Sequence, residues 1–134
     1  MQLNGKGVLN KMIRIAVGGA IDKAKIAEII RKIGGEAVDV KIMSDIEAAM
    51  AVKNGNADYY IGACATGGGG ALALAMALIG AAKCATVSMP GKPPQSENVR
   101  KAVKEGKVAF GFTNDHIEKA VPMIVNAILN NKEE

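Results

Sequence analysis

Hydrophobic residues along this chain switch between two spacings, one typical of buried strands and one typical of amphipathic helices. A short apolar run at residues 12–17 ends at two glycines, and at 22–33 isoleucines recur at helical spacing opposite charged residues. The same pair of signals recurs four more times. The predicted strands are 12–17, 37–42, 58–62, 84–88 and 108–112, and the predicted helices are 22–33, 44–54, 71–82, 96–105 and 114–130.

Alternating strands and helices of this size predict a parallel sheet with helices on both faces. We expect a three-layer α-β-α, doubly wound α/β domain whose five strands follow the flavodoxin-like order 2-1-3-4-5. This single domain is expected at residues 12–130, between a polar extension at 1–11 and a short tail at 131–134. The order places a topological switch point between strands 1 and 3, and ligands of such sheets bind beyond the carboxyl ends of the strands.

Composition narrows the choice of partner. The chain has 134 residues, of which 49% are hydrophobic, 22% are charged and only 3% are aromatic, and its formal net charge is +4. Positive and negative residues are interleaved and few rings are present for base stacking, so we expect no nucleic-acid partner. A mild positive excess favours a small anionic or phosphorylated metabolite.

No segment of the sequence indicates export, a membrane span or a metal site. The N-terminal residues lack the apolar core of a signal peptide. Four glycines interrupt the uncharged stretch 61–82 and leave about 12 apolar residues, whereas a spanning helix needs about 20. Cys64 and Cys84 form no Cys-x-x-Cys pair, and one histidine cannot complete a zinc site with them. We therefore expect a cytoplasmic protein with no membrane contact, metal or cofactor.

The strongest functional signal is the glycine loop, residues 64–70, which follows predicted strand 3 and precedes a helix. Consecutive glycines let a ligand approach the backbone, and free N–H groups at a helix start attract an anion. Cys64 would lie near the positive end of the helix dipole and is a candidate catalytic thiolate. The alternative is a tightly packed glycine turn beside a buried cysteine. The anion-binding residues expected here are Thr66, Gly67, Gly68, Gly69 and Gly70.

Further candidates lie in the other loops at the same edge. Gly18 and Gly19 follow strand 1 and offer backbone N–H groups, and Lys92, in the proline-rich loop after strand 4, offers a charge to a phosphate. His116, the only histidine, follows strand 5 and is a candidate general acid or base. The alternatives are that Lys92 is an ordinary surface lysine and that His116 faces solvent in the first turn of a helix.

The helix predicted at 71–82, ALALAMALIGAA, has no polar face. A helix that is apolar on all sides has to be covered on all sides, and the sheet covers only one. A second subunit is the simplest cover, so we expect a homo-oligomer. Burial under neighbouring loops is the alternative.

From about Met12 to Leu129 the sequence resembles the bacterial YhfU-like family, whose function is unknown. The resemblance rests on the glycine loop and on four segments: 45–53 (DIEAAMAVK), 57–64 (ADYYIGAC), 105–111 (EGKVAFG) and 116–123 (HIEKAVPM). It implies no particular activity.

A second, local resemblance is to the type B ribose-5-phosphate isomerase family, whose third strand ends in a Cys-Gly-Thr-Gly-x-Gly loop before a helix. Residues 64–69, Cys-Ala-Thr-Gly-Gly-Gly, align with that loop without a gap. The resemblance implies that Cys64 moves a proton and that the N–H groups of residues 67–70 stabilise an enediolate. The sequence departs from the family in other places. The Asp-His pair that the family carries after strand 1 is Gly18-Gly19-Ala20 here, an Asn in the following helix is Ala75, and the arginines that hold the phosphate in the family have no clear counterpart.

The function that these observations favour is the binding of a small anionic or phosphorylated metabolite at the glycine loop. One alternative is a sugar-phosphate aldose–ketose isomerase that acts through an enediolate. Another is a non-catalytic, oligomeric accessory or regulatory protein, in which the glycines serve only close packing.

Overall fold

The computed structural model of the protein describes the backbone at residues 2–3, 9–65 and 68–133, and the side chains at 11–65 and 72–132. Within these residues, five strands and five helices alternate as the sequence predicts. The strands are β1 (Ile13–Gly19), β2 (Val38–Ile42), β3 (Tyr59–Cys64), β4 (Cys84–Thr86) and β5 (Ala109–Thr113). The helices are α1 (Lys23–Gly34), α2 (Asp45–Lys53), α3 (Gly68–Ile79), α4 (Ser96–Lys104) and α5 (Ile117–Glu133).

The chain ends differ from the expectation in detail. Two-residue strands at Gln2–Leu3 and Leu9–Asn10 pair with each other in antiparallel fashion, ahead of β1. At the other end, α5 continues to Glu133, so residues 131–133, which the sequence pattern assigns to a tail, are helical.

The parallel, doubly wound α/β class is confirmed, but the predicted order of the last two strands is wrong. The sheet has the order 2-1-3-5-4, in which β5 lies between β3 and β4. All five residues of β5 are buried, whereas β4 has three residues, of which only Cys84 is buried. Inner strands of a parallel sheet are covered on both faces, so the longer and fully buried strand takes the inner position.

The two faces of the sheet are covered unequally. Helices α1, α4 and α5 pack on one face, over a core of isoleucine, valine and two phenylalanines. Helices α2 and α3 pack on the other, which we call the small-residue face because its core is mostly alanine. The largest buried side chains of the small-residue face are Tyr60 and Leu72.

Three glycines form a row across the small-residue face. Gly18, Gly62 and Gly111 are register partners on adjacent strands. A Cβ at Gly18 would lie 2.6 Å from the Tyr60 ring, one at Gly62 would lie 2.8 Å from the Tyr60 hydroxyl, and one at Gly111 would lie 2.6 Å from Leu72. The absence of these three Cβ atoms therefore lets the Tyr60 phenol lie along the sheet towards its carboxyl edge and lets α3 approach the sheet closely.

The uncharged stretch 61–82 is divided between β3 and α3. In the described part of the chain, none of the helices combines the length and the apolar character needed to cross a membrane.

Candidate functional site

At the carboxyl edge of the sheet, hydrogen bonds that the sequence does not predict fix the turn after β1. The N–H of Gly19 donates to Oδ1 of Asp45 at 3.0 Å, and the Tyr60 hydroxyl donates to the same oxygen at 2.5 Å. The N–H of Ala20 donates to the carbonyl of Ala63 at 2.9 Å, which ties the turn after β1 to β3. Burial raises the pKa of Tyr60, and the hydrogen bond to Asp45 raises it further, so the phenol remains protonated.

These contacts change the interpretation of Gly18 and Gly19 as anion-binding residues. Gly18 lies beneath the Tyr60 ring, and the N–H of Gly19 already serves the carboxylate of Asp45. A side chain of the protein thus occupies the position that the sequence analysis offers to an external anion.

The end of β3 positions the candidate thiol. Cys64 is the last residue of the strand and is 6% exposed, so it belongs to the sheet rather than to the loop. Helix α3 begins at Gly68, three residues before the predicted start, and Gly68, Gly69 and Gly70 form its first turn. Thr66 and Gly67 lie outside the described residues. The first N–H groups of a helix have no partner within it and carry a partial positive charge, so the start of α3 is suited to an anion.

A polar cluster closes the edge between β4 and β5. The Nδ1 atom of His116 lies 2.6 Å from Oγ1 of Thr113 and 2.9 Å from Oγ of Ser88. The N–H of Thr113 donates to Oγ of Ser88 at 3.1 Å, and the two hydroxyl oxygens are 3.3 Å apart. Ser88 and Thr113 are 3% and 1% exposed, and they are the buried polar side chains of the described residues.

This cluster is not a serine–histidine–aspartate triad. In a triad the serine and the aspartate bind opposite nitrogens of the imidazole. Here Oδ1 of Asp115 lies 3.6 Å from Nδ1 of His116, the same nitrogen that Ser88 contacts. A hydrogen bond from Thr113 and, more weakly, the nearby His116 lower the pKa of Asp115. His116 is therefore not oriented to activate Ser88.

The two candidate catalytic residues belong to one part of the edge. Cys64 and Thr113 are register partners at the ends of β3 and β5, and Thr113 contacts His116. Alternation along the strands puts the side chains of Cys64 and Thr113 on the small-residue face, the face of Tyr60. Cys84, by contrast, begins β4 at the opposite edge, where burial raises the pKa of its thiol.

Two lysines near this edge, Lys92 and Lys23, differ in their contacts. Lys92 lies in a tight turn whose backbone bonds join it to Met89 at 3.1 and 2.9 Å, and its side chain is exposed. Lys23, which the sequence analysis does not single out, donates from Nζ to the carbonyl of Met43 at 2.8 Å. Within the described residues, Lys92 forms no hydrogen bond or ion pair with the Ser88–Thr113–His116 cluster, so its assignment to the anion site remains a prediction.

Four residues of the edge escape a reading of the sequence: Asp45, Tyr60, Ser88 and Thr113. Asp45 lies within Ser-Asp-Ile-Glu (residues 44–47), the sequence pattern of a capping box at a helix start, and the structure contains this capping box between Ser44 and Glu47. Tyr60 has the pattern of a core residue. The available signal for Ser88 and Thr113 was the occurrence of a hydroxyl residue at the end of two successive strands, each of them ahead of a loop.

A groove lies at the other end of the sheet. It has a volume of about 860 Å³ and is lined at the amino ends of the strands by residues such as Arg14, Asp58 and Tyr59. Arg14 pairs with Asp58 at 3.1 Å, and both side chains are partly exposed. The groove thus contains neither Cys64 nor His116. Among the residues that the structure describes, no three His, Cys, Asp or Glu side chains gather in a way that would hold a metal ion.

Comparison with known proteins identifies relatives over nearly the whole domain. The sequence profile of the family described as Protein of unknown function DUF2620 matches residues 13–128. The uncharacterized protein YhfU of Escherichia coli (strain K12) is 44% identical over 115 residues, which cover 86% of this chain and 97% of that protein. YhfU of Shigella flexneri gives the same values. The resemblance to the YhfU-like family is confirmed.

Solved structures with a similar fold include type B ribose-5-phosphate isomerases. Ribose-5-phosphate isomerase B of Clostridium thermocellum has a TM-score of 0.61 and 20% identity, with 87% of this chain and 84% of that chain covered. The type B enzyme of Trypanosoma brucei has a TM-score of 0.65 and 18% identity, with 89% and 86% covered. At these identities the likeness shows that the fold is shared.

Proposed function

Because the chain belongs to the DUF2620 family of proteins of unknown function, its own residues have to indicate its role, and we propose that it binds a small anionic metabolite at the carboxyl edge of the sheet. The observation that carries this proposal is the position of the His116 cluster. Thr113, which holds His116, is the register partner of Cys64, and α3 begins four residues after Cys64. The start of α3 and the imidazole of His116 thus follow the ends of two neighbouring strands, β3 and β5.

Each of these groups favours a negatively charged ligand. Unpaired N–H groups and the helix dipole attract anions at the start of α3. An imidazole N–H donates a hydrogen bond that is stronger when the acceptor is charged. The crevice between β1 and β3 is closed by Tyr60 and Asp45, which limits the ligand to the region from β3 to β4 and so favours a small molecule. A phosphorylated metabolite fits these requirements.

Inorganic phosphate is the simplest probe of this proposal. In a titration followed by amide NMR, we expect the N–H signals of Gly68, Gly69 and Gly70 to shift and to saturate together. The reason is that these groups begin α3 and have no helical partner. Gly35 and Gly55 are exposed glycines elsewhere on the surface and serve as internal controls whose signals should not move. Shifts confined to the groove at Arg14 and Asp58 would overturn the proposal.

A second candidate function is a sugar-phosphate isomerase, and it is favoured by the position of Cys64 at the end of β3 within a fold shared with type B ribose-5-phosphate isomerases. In this reading, Cys64 would take a proton from the carbon beside the carbonyl of an open-chain sugar phosphate, and the start of α3 would stabilise the enediolate. Among the residues that the structure describes, neither Arg14 nor Arg31 forms a clamp for the phosphate at this edge. Arg14 lies at the amino edge with Asp58, and Arg31 donates to the carbonyl of Val40.

The two functions differ in the reactivity expected of Cys64. If Cys64 is a catalytic base, iodoacetamide at neutral pH should modify it faster than Cys84, and phosphate should protect it, because a thiolate is the reactive form and the start of a helix stabilises it. Cys84 is a matched control within the same molecule, since the two residues are 6% and 7% exposed. Mass spectrometry of the modified protein measures both rates.

Two outcomes separate the candidates. Rapid, phosphate-protected modification of Cys64, together with loss of any ribose-5-phosphate turnover in Cys64→Ser, would support the isomerase. If neither cysteine reacts until the protein unfolds while phosphate still shifts the amides of α3, the isomerase is excluded and the binding protein stands. An accessory protein without a ligand would show neither effect.

A further inference from the structure

Two hydrogen-bonded side chains of the small-residue face, Tyr60 and Asp45, have no part in the proposed function. The Tyr60 side chain is fully buried, and its ring lies along the sheet over Gly18. Its hydroxyl donates to Oδ1 of Asp45 at 2.5 Å, and the N–H of Gly19 donates to the same oxygen at 3.0 Å. Two donors thus fix the carboxylate of Asp45 at the carboxyl edge of the sheet.

The Tyr60 hydroxyl lies along β3 in the direction of Cys64. Residues 60, 62 and 64 alternate onto one face, and the hydroxyl is 2.8 Å from the position that a Cβ of Gly62 would take. A negative charge on Cys64 would raise the pKa of Tyr60, so the two groups are close enough to interact electrostatically. Oδ1 of Asp45 is one hydrogen bond away from the phenol oxygen. A thiolate at Cys64 would therefore lie near a second negative charge.

Other groups around Cys64 act on the thiol as well. The start of α3 follows four residues later and its partial positive charge favours a thiolate, while residues 68–79 of α3 contain no titratable side chain. On the other side, Thr113 is the register partner of Cys64 and contacts both His116 and Asp115. The charge of Cys64 thus depends on the balance between the start of α3, these two side chains and the carboxylate of Asp45.

We propose that the Asp45 carboxylate, held in place by Tyr60, disfavours the thiolate form of Cys64, and that Asp45 and Tyr60 are positioning residues that keep a neutral sulfur at the edge where α3 begins. A negative sulfur there would repel an anionic ligand. The inference goes beyond the proposed function, because it concerns the protein without a ligand. It also favours the binding protein over the isomerase, whose base has to be a thiolate.

The charge of Cys64 is measured by NMR in protein labelled with ¹³C at the β-carbon of cysteine, because the signal of this carbon moves when the thiol loses its proton. Cys84→Ser assigns the two signals. Asp45→Asn removes the negative charge but keeps the size of the side chain and an oxygen that accepts from Gly19 and Tyr60. We expect the midpoint of the Cys64 titration to fall by about one pH unit, the effect of one nearby charge in a partly buried site.

Three further variants separate the charge of Asp45 from its structural role. Asp45→Ser is a second uncharged variant and should lower the Cys64 midpoint as well, whereas Asp45→Glu keeps the charge and should stay closer to the wild-type midpoint. Glu47→Gln removes a carboxylate that lies in the same turn of α2 but accepts from the N–H of Ser44, and it should leave the midpoint unchanged. The signal of Cys84, at the opposite edge, should titrate alike in all variants.

The amide spectrum of each variant shows that it is folded before its titration is interpreted. An unchanged or higher Cys64 midpoint in the folded uncharged variants of Asp45 would overturn the inference, and so would an equal fall in Glu47→Gln. These titrations need no ligand, whereas the phosphate titration of the α3 amides in the wild-type protein tests the proposed function. Failure of either one is therefore distinguishable from failure of the other.

Discussion

Replacing Gly19 with alanine is expected to destabilise the protein by about 2–5 kcal/mol, the sum of left-handed backbone strain and overpacking. Gly19 has a φ of +79°, and a Cβ there would lie 2.7 Å from both the nitrogen and the oxygen of Ala63. These are backbone atoms of a central strand, so they cannot move aside as the end of a flexible side chain could. The substitution also disturbs the N–H that Asp45 holds.

Gly35→Ala is the matched control for this prediction. Gly35 also has a positive φ, +52°, but no atom lies within 4 Å of the position of its Cβ. It should therefore lose only the conformational part, about 1–2 kcal/mol. Urea unfolding of the two variants measures the difference as a shift in midpoint at constant slope. Equal losses of unfolding free energy in the two variants would contradict the prediction. They would show that the turn after β1 moves to accept the Cβ, and that its close contact with β3 adds no stability.

A dimer or larger assembly in solution is the expected state of the wild-type protein, and Met76→Glu should disrupt it. Helix α3 contains no charged residue, and Leu74 and Met76 on its outer side are 37% and 36% exposed. Its inner side is already used, since Leu72 and Ala75 are fully buried against the sheet. A second copy of the chain is the occupant we expect on the outer side. A carboxylate buried unpaired in such an interface costs several kcal/mol, so association should weaken by at least about 100-fold.

Met12→Glu is the control for the assembly. Met12 is 46% exposed and lines the groove at the opposite end of the sheet, so the same substitution there should leave the mass in light scattering unchanged. A wild-type protein that runs as a 13.8 kDa monomer at micromolar concentration would contradict the prediction. So would a Met76→Glu variant that retains the wild-type mass.

The sequence predicts which elements form more reliably than where they end. Apolar residues at the two characteristic spacings locate the five strands of the parallel sheet and the five α-helices. Three of the errors lie at the carboxyl ends of strands, where β1 reaches Gly19, β3 reaches Cys64 and β5 reaches Thr113. Glycine, cysteine and threonine there look like loop residues in a local pattern, but pairing with a neighbouring strand keeps them in the sheet.

In the candidate site, too, some residues can be predicted from the sequence and others cannot. Cys64 and His116 are recognisable in the sequence as candidates, because a thiol precedes a glycine run and the single histidine follows a predicted strand. The partners that orient His116 are not recognisable, because Ser88 and Thr113 are 25 residues apart and meet only through the pairing of β4 with β5. The carboxylate of Asp45, which fills the turn after β1, has an ordinary local role at the start of α2.

By itself, then, the sequence determines the alternation of strands and helices, the α/β class, the capping box at Ser44 and the apolar character of α3, because each follows from residues within one or two turns of each other. Only the tertiary structure decides that β5 lies inside β4, that Asp45 and Tyr60 close the crevice between β1 and β3, and that two buried hydroxyls hold His116. These features depend on which strands are neighbours. The order of the strands depends on which strands are covered on both faces of the sheet. This is a property of the assembled sheet, and the spacing of apolar residues within one segment does not predict it.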